Sequence, residues 1–369
     1  MNSTYMNWYN LHTPEHVDTP ALLVYPDRIQ HNIEVLKGMI DRVGRLRPHV
    51  KTHKTKEITR MQLDAGIRKF KCATIAEAEM LGVCGAPDVL LAYPLHGAKL
   101  QRFVALIQHF PQTRFSAIVD HVDAVENLSA TAVKNNIQVD VFIDLNIGMG
   151  RTGIRPDDAA FELYRFCSEM DGLHVQGFHA YDGHVREMDM VEREKVCDRN
   201  YEPIAKLIER LLGEGFEKPS VVIGGSPSFP IYAQYPEVEC SPGTFVLWDK
   251  GYADTLPEQH FLPGAVLMTR VVSLPSENTI CVDLGYKAIA SENPLDNRVF
   301  FLNAPHLKPI SHSEEHLVLD AGVNHRFQVG DVLYALPIHI CPTVALYDKL
   351  LAVEEGKVVD EWEVVARRR

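Results

Sequence analysis

"VEREKVCDRNYEPIAKLIERLLGEGFEKPSVVIGGSPSFP", residues 191–230, contains one full beat of the chain's rhythm. Its first part, through Gly215, keeps apolar residues at three- and four-residue spacing over several turns, which predicts an amphipathic helix. SVVIGG (220–225) follows as a short apolar run closed by glycines, which predicts a buried strand and a turn. The same alternation starts near residue 20. Further predicted strands are ALLVY (21–25), RLRPHV (45–50), KFKCAT (69–74), DVLLAYPL (88–95), RFSAIV (114–119), VDVFIDLNIG (139–148) and LHVQGFHAY (173–181), eight in all. Helical patterns such as PDRIQHNIEVLKGMIDRV and HVDAVENLSATAVKNN lie between them. Eight strand–helix units joined by right-handed crossovers predict an α/β fold, a (β/α)8 barrel. A doubly wound open sheet is the alternative, but no strand runs into Gly-x-Gly-x-x-Gly.

After about residue 260 the rhythm changes. AVLMTRVVSLP, NTICVDLGYKAIA, RVFFLNAP, EHLVLD and DVLYALPIHICPTVAL read as strands, separated by turn signals such as PSEN and QVGD. The expected organisation is an N-terminal segment (1–19) joining a β domain, a barrel over 20–260, and a C-terminal all-β domain over 261–369. The net charge of −12 argues against nucleic acid or an anionic membrane as partner. No apolar run is long enough to span a bilayer, and no secretory signal is visible, so a cytoplasmic location is expected. The seven cysteines are scattered, with no Cys-x-x-Cys, and read as reduced thiols.

Three segments could carry chemistry. RLRPHVKTHKTKE (45–57) is the most basic stretch of an acidic chain. Alternation along a strand would put Arg45, Arg47, His49, Lys51 and His53 on one face. Lys51 would then close the second barrel strand, at the end where barrel active sites are built. Burial and like-charged neighbours both favour a neutral, nucleophilic amine there; a solvated basic run is the plain alternative. The Gly224-Gly225-Ser226 turn, after what counts as the eighth strand, offers backbone N–H groups and a hydroxyl to an anion, or is simply a turn. In PIHICPTV (337–344), His339 and Cys341 would share one face of a strand. Imidazole and thiolate are good zinc ligands, though a core Cys beside a half-buried His has the same pattern. Arg151 in GMGRTGI, and His179, Tyr181 and His184 in HAYDGH, sit at further strand ends, where a cation, an acid or a base is useful.

Taken together, DTPALLV (18–24), RPHVKTHK (47–54), GMGRTGI (148–154), AYDGH (180–184), IGGSPS (223–228), SPGTFV (241–246), VDLGYKA (282–288), SEEH (313–316) and HICPTV (339–344) run in order over nearly the whole chain. They resemble the fold-type III pyridoxal phosphate enzymes, the alanine racemase class. The closer likeness is to its metal-dependent branch of D-threonine aldolases and D-serine dehydratases. The resemblance implies an alanine racemase-like barrel with a D-serine dehydratase-like β domain, working as a homodimer with shared active sites.

Carried over by position, Lys51 is the lysine that bonds pyridoxal 5′-phosphate, and Arg151 lies near its phenolic oxygen. Tyr181 lines the pocket, Gly224, Gly225 and Ser226 hold the phosphate, and His339 with Cys341 bind a divalent metal (Zn, Mn or Mg). Two departures, Phe245 and Tyr286, are expected to reshape the substrate pocket. The implied activity is a lyase acting on a small D-3-hydroxy amino acid. In aldol cleavage of D-threonine, His179 or His184 would take the β-hydroxyl proton, giving glycine and an aldehyde. In dehydration of D-serine or hydroxyaspartate, Lys51 would take the Cα proton, giving ammonia and a keto acid. The AYDGH segment favours the aldolase, and His-x-Cys suits the dehydratase at least as well. A racemase has no use for a metal pair. Non-catalytic cofactor-binding proteins of this fold lack the β domain.

Overall fold

A computed structural model describes residues 7–369, so the first six residues of the expected N-terminal segment lie outside the described residues. Seven parallel strands pair in chain order: Lys69–Cys72, Asp88–Leu91, Arg114–Val119, Val139–Asp144, Leu173–Ala180, Ser220–Ile223 and Val238–Cys240. Parallel bridges Leu46↔Cys240 and His49↔Lys71 join the two edges through the segment 46–49, which completes the eight-membered ring.

The strand count therefore differs from the sequence reading in two places. Ala21–Val24 is not a barrel strand; it pairs antiparallel with Ala265–Ser276 and parallel with Lys349–Glu354. All four of its residues are buried, and an apolar run covered on both faces reads alike in either kind of sheet. The missing eighth strand is Val238–Cys240, three residues long and too short to show a period. Lys51 thus follows the first barrel strand, and the Gly224–Ser226 turn follows the seventh.

The chain forms two compact units. One comprises Leu36–Lys51, Thr59–Gly243 and Arg368–Arg369; the other comprises the described residues up to Val35, with Thr52–Ile58 and Thr244–Arg367. In the barrel unit, Leu90, Ile118, Phe142 and Val222 form an apolar layer. Charged residues gather where the strands begin. Arg47 pairs with Asp88 and with Glu239 (2.7 Å), Lys69 pairs with Glu239, and Arg114 pairs with Asp140.

This corrects the picture of 45–53 as one cation-lined strand. Val43–Arg45 is a 3-10 turn, and the extended stretch ends near His49. Arg45 is buried, donating to the carbonyls of Ala233 (3.0 Å) and Val238 (2.9 Å). Arg47 is buried between its two carboxylates. Neither cation is left for an anionic ligand, because burying a guanidinium requires partners of its own.

The second unit is a mixed sheet. Its strands run in the order Lys308–His312, Leu317–Asp320, Thr279–Val282, Ala265–Ser276, Ala21–Val24, Lys349–Glu354, Lys357–Glu363; Val332–Pro337 pairs with Ala265–Ser276 and with Val299–Phe301. Its core takes Leu23, Val266, Met268, Tyr334 and Leu336, plus Tyr9 and Leu11 from the N-terminal segment. None of the seven cysteines is in a disulfide, and burial pushes the Cys167, Cys197 and Cys240 thiols up to about 12, leaving them inert. Among the described residues no helix is long and apolar enough to cross a membrane.

Candidate active site

At the C-terminal ends of the barrel strands, three basic groups lie close to one ring. Lys51 Nζ, Lys71 Nζ and Arg151 Cζ lie 5.5, 5.6 and 5.0 Å from the centre of the Tyr181 ring. Tyr181 directly follows the strand Leu173–Ala180, and Lys51 sits two residues past the last bridge of the first strand. Lys51 N–H donates to its neighbour His49 Nδ1 at 3.1 Å, which fixes the turn that presents the lysine. The ring has close neighbours on two sides. A Cβ at Gly183 would stand 2.5 Å from its Cε1, Cζ and Oη, and one at Gly225 would stand 3.4 Å from Cε2.

A chain of hydrogen bonds leads to Lys71. Thr152 Oγ1 donates to Asp144 Oδ2 (2.8 Å), and Asp144 Oδ1 meets His179 Nδ1 (2.7 Å). His179 Nε2 in turn meets Lys71 Nζ (3.5 Å). With Nδ1–H donating to the carboxylate, Nε2 is the acceptor for the lysine. Register explains the middle pair, since Asp144 and His179 lie opposite each other on adjacent strands. Burial holds the His179 pKa down, with Asp144 pulling the other way. Burial, then the charge of Lys51, brings the Lys71 amine down to about 7. His179, expected as a base, has both ring nitrogens engaged. His184 meets the Asn200 amide at 3.3 Å through Nε2, and its buried Nδ1 has no partner.

The Gly224–Ser226 turn and Ser241–Gly243 leave paired strands side by side. Gly224 has φ +83°, which glycine adopts without strain, and a Cβ there would meet the Tyr232 ring at 2.9 Å. Gly225 N–H donates to Ser228 Oγ (3.1 Å), and Ser228 is hydrogen-bonded to the buried carboxylate of Asp182. Gly243 N–H donates to Ser226 Oγ (3.4 Å). Ser241 Oγ is buried with no partner.

The other unit holds His339 and Cys341. They do not share a strand: Val332–Pro337 has already ended, and His339 caps the short helix Ile340–Val344. The buried Asp249 carboxylate fixes that helix start by accepting from Ile340 N–H (3.0 Å). The two side chains are nevertheless hydrogen-bonded to each other. Burial opposes charge on His339, but Cys341 and Glu292 outweigh it and hold its pKa at about 9. His339 Nδ1 pairs with Glu292 at 2.5 Å. Thr52 Oγ1 lies 3.1 Å and Thr244 Oγ1 3.6 Å from Cys341 Sγ. Among the described residues no cluster of three or more His, Cys, Asp or Glu forms a closed metal site.

Residues 24–248 match the family described as alanine racemase, N-terminal domain, and residues 264–353 match the putative serine dehydratase domain. The chain belongs to the alanine racemase N-terminal domain family. Within that family it is similar to D-threonine aldolase of Arthrobacter sp. (28% identical, covering 95% of this chain and 93% of the relative). It is also similar to D-threo-3-hydroxyaspartate dehydratase of Delftia sp. (26%, 94% and 97%). The solved D-threonine aldolase of Filomicrobium marinum superposes with a TM-score of 0.86 at 27% identity, covering 95% of each chain.

The family implies pyridoxal 5′-phosphate, and the barrel unit fits it. A half-buried lysine stands beside an aromatic wall, and an unpartnered buried hydroxyl, Ser241, lies at the glycine turn. For a metal, the donor set fits a site open to other ligands. His339 is backed by a carboxylate at Nδ1, as metal-bound histidines are, and Cys341 is flanked by two hydroxyls. Of the two departures noted in the sequence, Phe245 is buried against Phe261 (ring centres 5.9 Å), and Tyr286 is partly exposed, edge-on to His312 (6.0 Å). Sequence reasoning missed Lys71, Asp144 and Ser241. Lys71 lay inside KFKCAT, a predicted strand whose pattern does not say which lysine is buried.

Proposed function

We propose that the protein is a pyridoxal 5′-phosphate- and divalent-metal-dependent lyase of D-3-hydroxy amino acids that cleaves D-threonine-type substrates to glycine and an aldehyde. The observation that carries the reading is the set of basic groups around Tyr181 at the C-terminal end of the barrel. When bound, the cofactor supplies an electron sink and the metal supplies Lewis acidity.

The remaining work falls to the chain's own groups. Lys51 is the amine that bonds the cofactor and exchanges protons at Cα. Arg151 neutralises a phenolate or carboxylate oxygen. Gly224, Gly225 and Ser226, with Ser241, hold the phosphate. Tyr181 fixes the plane against which the ligand packs. His179 orients Lys71 rather than acting as the base. His184, with a ring nitrogen to offer, takes the β-hydroxyl proton. His339 and Cys341 hold the metal, and the thiolate suits zinc better than magnesium or manganese. The family resemblance extends the proposal to a cytoplasmic homodimer.

A dehydratase yielding ammonia and a keto acid is the second reading, favoured by the imidazole–thiolate pair. Incubation with D-threonine and with D-serine separates the two: glycine plus acetaldehyde supports the aldolase, and ammonia plus a keto acid overturns it. Full activity in a chelator would remove His339 and Cys341 from the reaction.

A further inference from the structure

Lys71 is 2% exposed and lies inside the barrel. Alternation along Lys69–Cys72 puts it on the same face as Lys69. Lys69 is balanced by Glu239, whereas the hydrogen bond of Lys71 goes to a neutral imidazole, His179 Nε2. Four charged groups act on it. Lys51 and Arg47 disfavour a proton on Lys71, while Asp182 and Asp144 favour one. Arg151 lies against the same Tyr181 ring as Lys71. Three basic groups around one ring repel one another when all are charged, and a phosphate ester and a carboxylate facing them would offset that repulsion.

We propose that Lys71 takes up a proton when an anionic, phosphorylated ligand fills the space around Tyr181, so that the site gains its third cation only on loading. The inference rests on the cofactor reading above. The His179–Asp144 pair holds the amine in place in both states, and the proton comes from solvent. The lowered pKa of Lys71 supports this: above pH 7 most of it is neutral and able to accept.

The test uses the cofactor-free full chain and pyridoxine 5′-phosphate, which carries the phosphate but has no aldehyde to bond Lys51. Calorimetry in buffers of different ionisation heat counts the protons taken up on binding. At pH 8 the native protein is expected to take up about one proton more per ligand than Lys71→Met. The excess should shrink towards zero at pH 6, where Lys71 is already charged. Lys71→Arg, a permanent cation, should bind without the excess and covers the case in which Lys71→Met fails to fold. Equal uptake by all three proteins, with binding intact, overturns this inference alone. Absence of binding heat, together with no visible band on adding pyridoxal 5′-phosphate, overturns the cofactor reading and this inference with it.

Discussion

Alanine at Gly183 should damage the reaction far more than the fold. Its Cβ would stand 2.5 Å from three atoms of the Tyr181 ring. Carbon atoms prefer 3.5–4.0 Å, so the ring must retreat by about 1 Å. The backbone at Gly183 is not in the left-handed region, so alanine adds no conformational strain. The retreat is constrained, because the Gly225 backbone borders another edge of the ring. A misplacement of about 1 Å in a positioning wall costs on the order of 100-fold in rate, while overpacking costs about 1–3 kcal/mol in stability. The assay is kcat/KM for glycine release from D-threonine, read beside the visible band of the bound cofactor and a thermal melt. In a Tyr181→Ala background, which removes the ring, Gly183→Ala should cost little more. Full activity in Gly183→Ala, or an equal loss in both backgrounds, would refute the steric argument.

Three further outcomes are expected. Lys51→Ala should abolish the visible absorption of bound cofactor; a retained band excludes Lys51 as the covalent amine. Arg47→Met strands two carboxylates inside the barrel and should cost about 3 kcal/mol, the low end of the range for broken buried pairs, because Glu239 keeps Lys69; denaturant titration measures it, and adding Glu239→Gln should recover part of the loss. Burial, with the charge of Lys54, depresses the buried His53 to about 3, below its unfolded value, so its contribution is complete above about pH 6.5 and is lost as pH falls. Between pH 6.5 and 5 that is about 2 kcal/mol, and His53→Gln should lose correspondingly less stability over the same interval.

The parts of the molecule legible in the sequence were those written in repeating patterns. Long amphipathic helices and apolar strands revealed the barrel, and the turn-punctuated tail revealed the β unit. Ala21–Val24 was misassigned because four buried residues carry no record of which sheet covers them. Val238–Cys240 was missed because three residues make no period. In the site, Lys51, Arg151 and Tyr181 were found at strand ends, where loops leave polar residues conspicuous. Lys71 and Asp144 were not, because they lie within strands, and a buried charge there is revealed only by its partners. His339 and Cys341 were paired for the wrong reason: a helix start, not a shared strand face, brings them together.

The position of Ala21–Val24 bears on how the protein is made. This strand leaves the ribosome among the first, yet its neighbours are Ala265–Ser276 and Lys349–Glu354. At about 5–20 residues per second, the last of those partners follows by roughly a quarter of a minute to a minute. Throughout that interval an apolar segment with at least one open edge is available to other chains, while the barrel unit is complete once Gly243 has emerged, apart from the two closing arginines. A chain cut short before Lys349 never covers the second edge. Such fragments should accumulate as aggregates, and fusing extra sequence upstream of the strand should be safer than trimming the C-terminus.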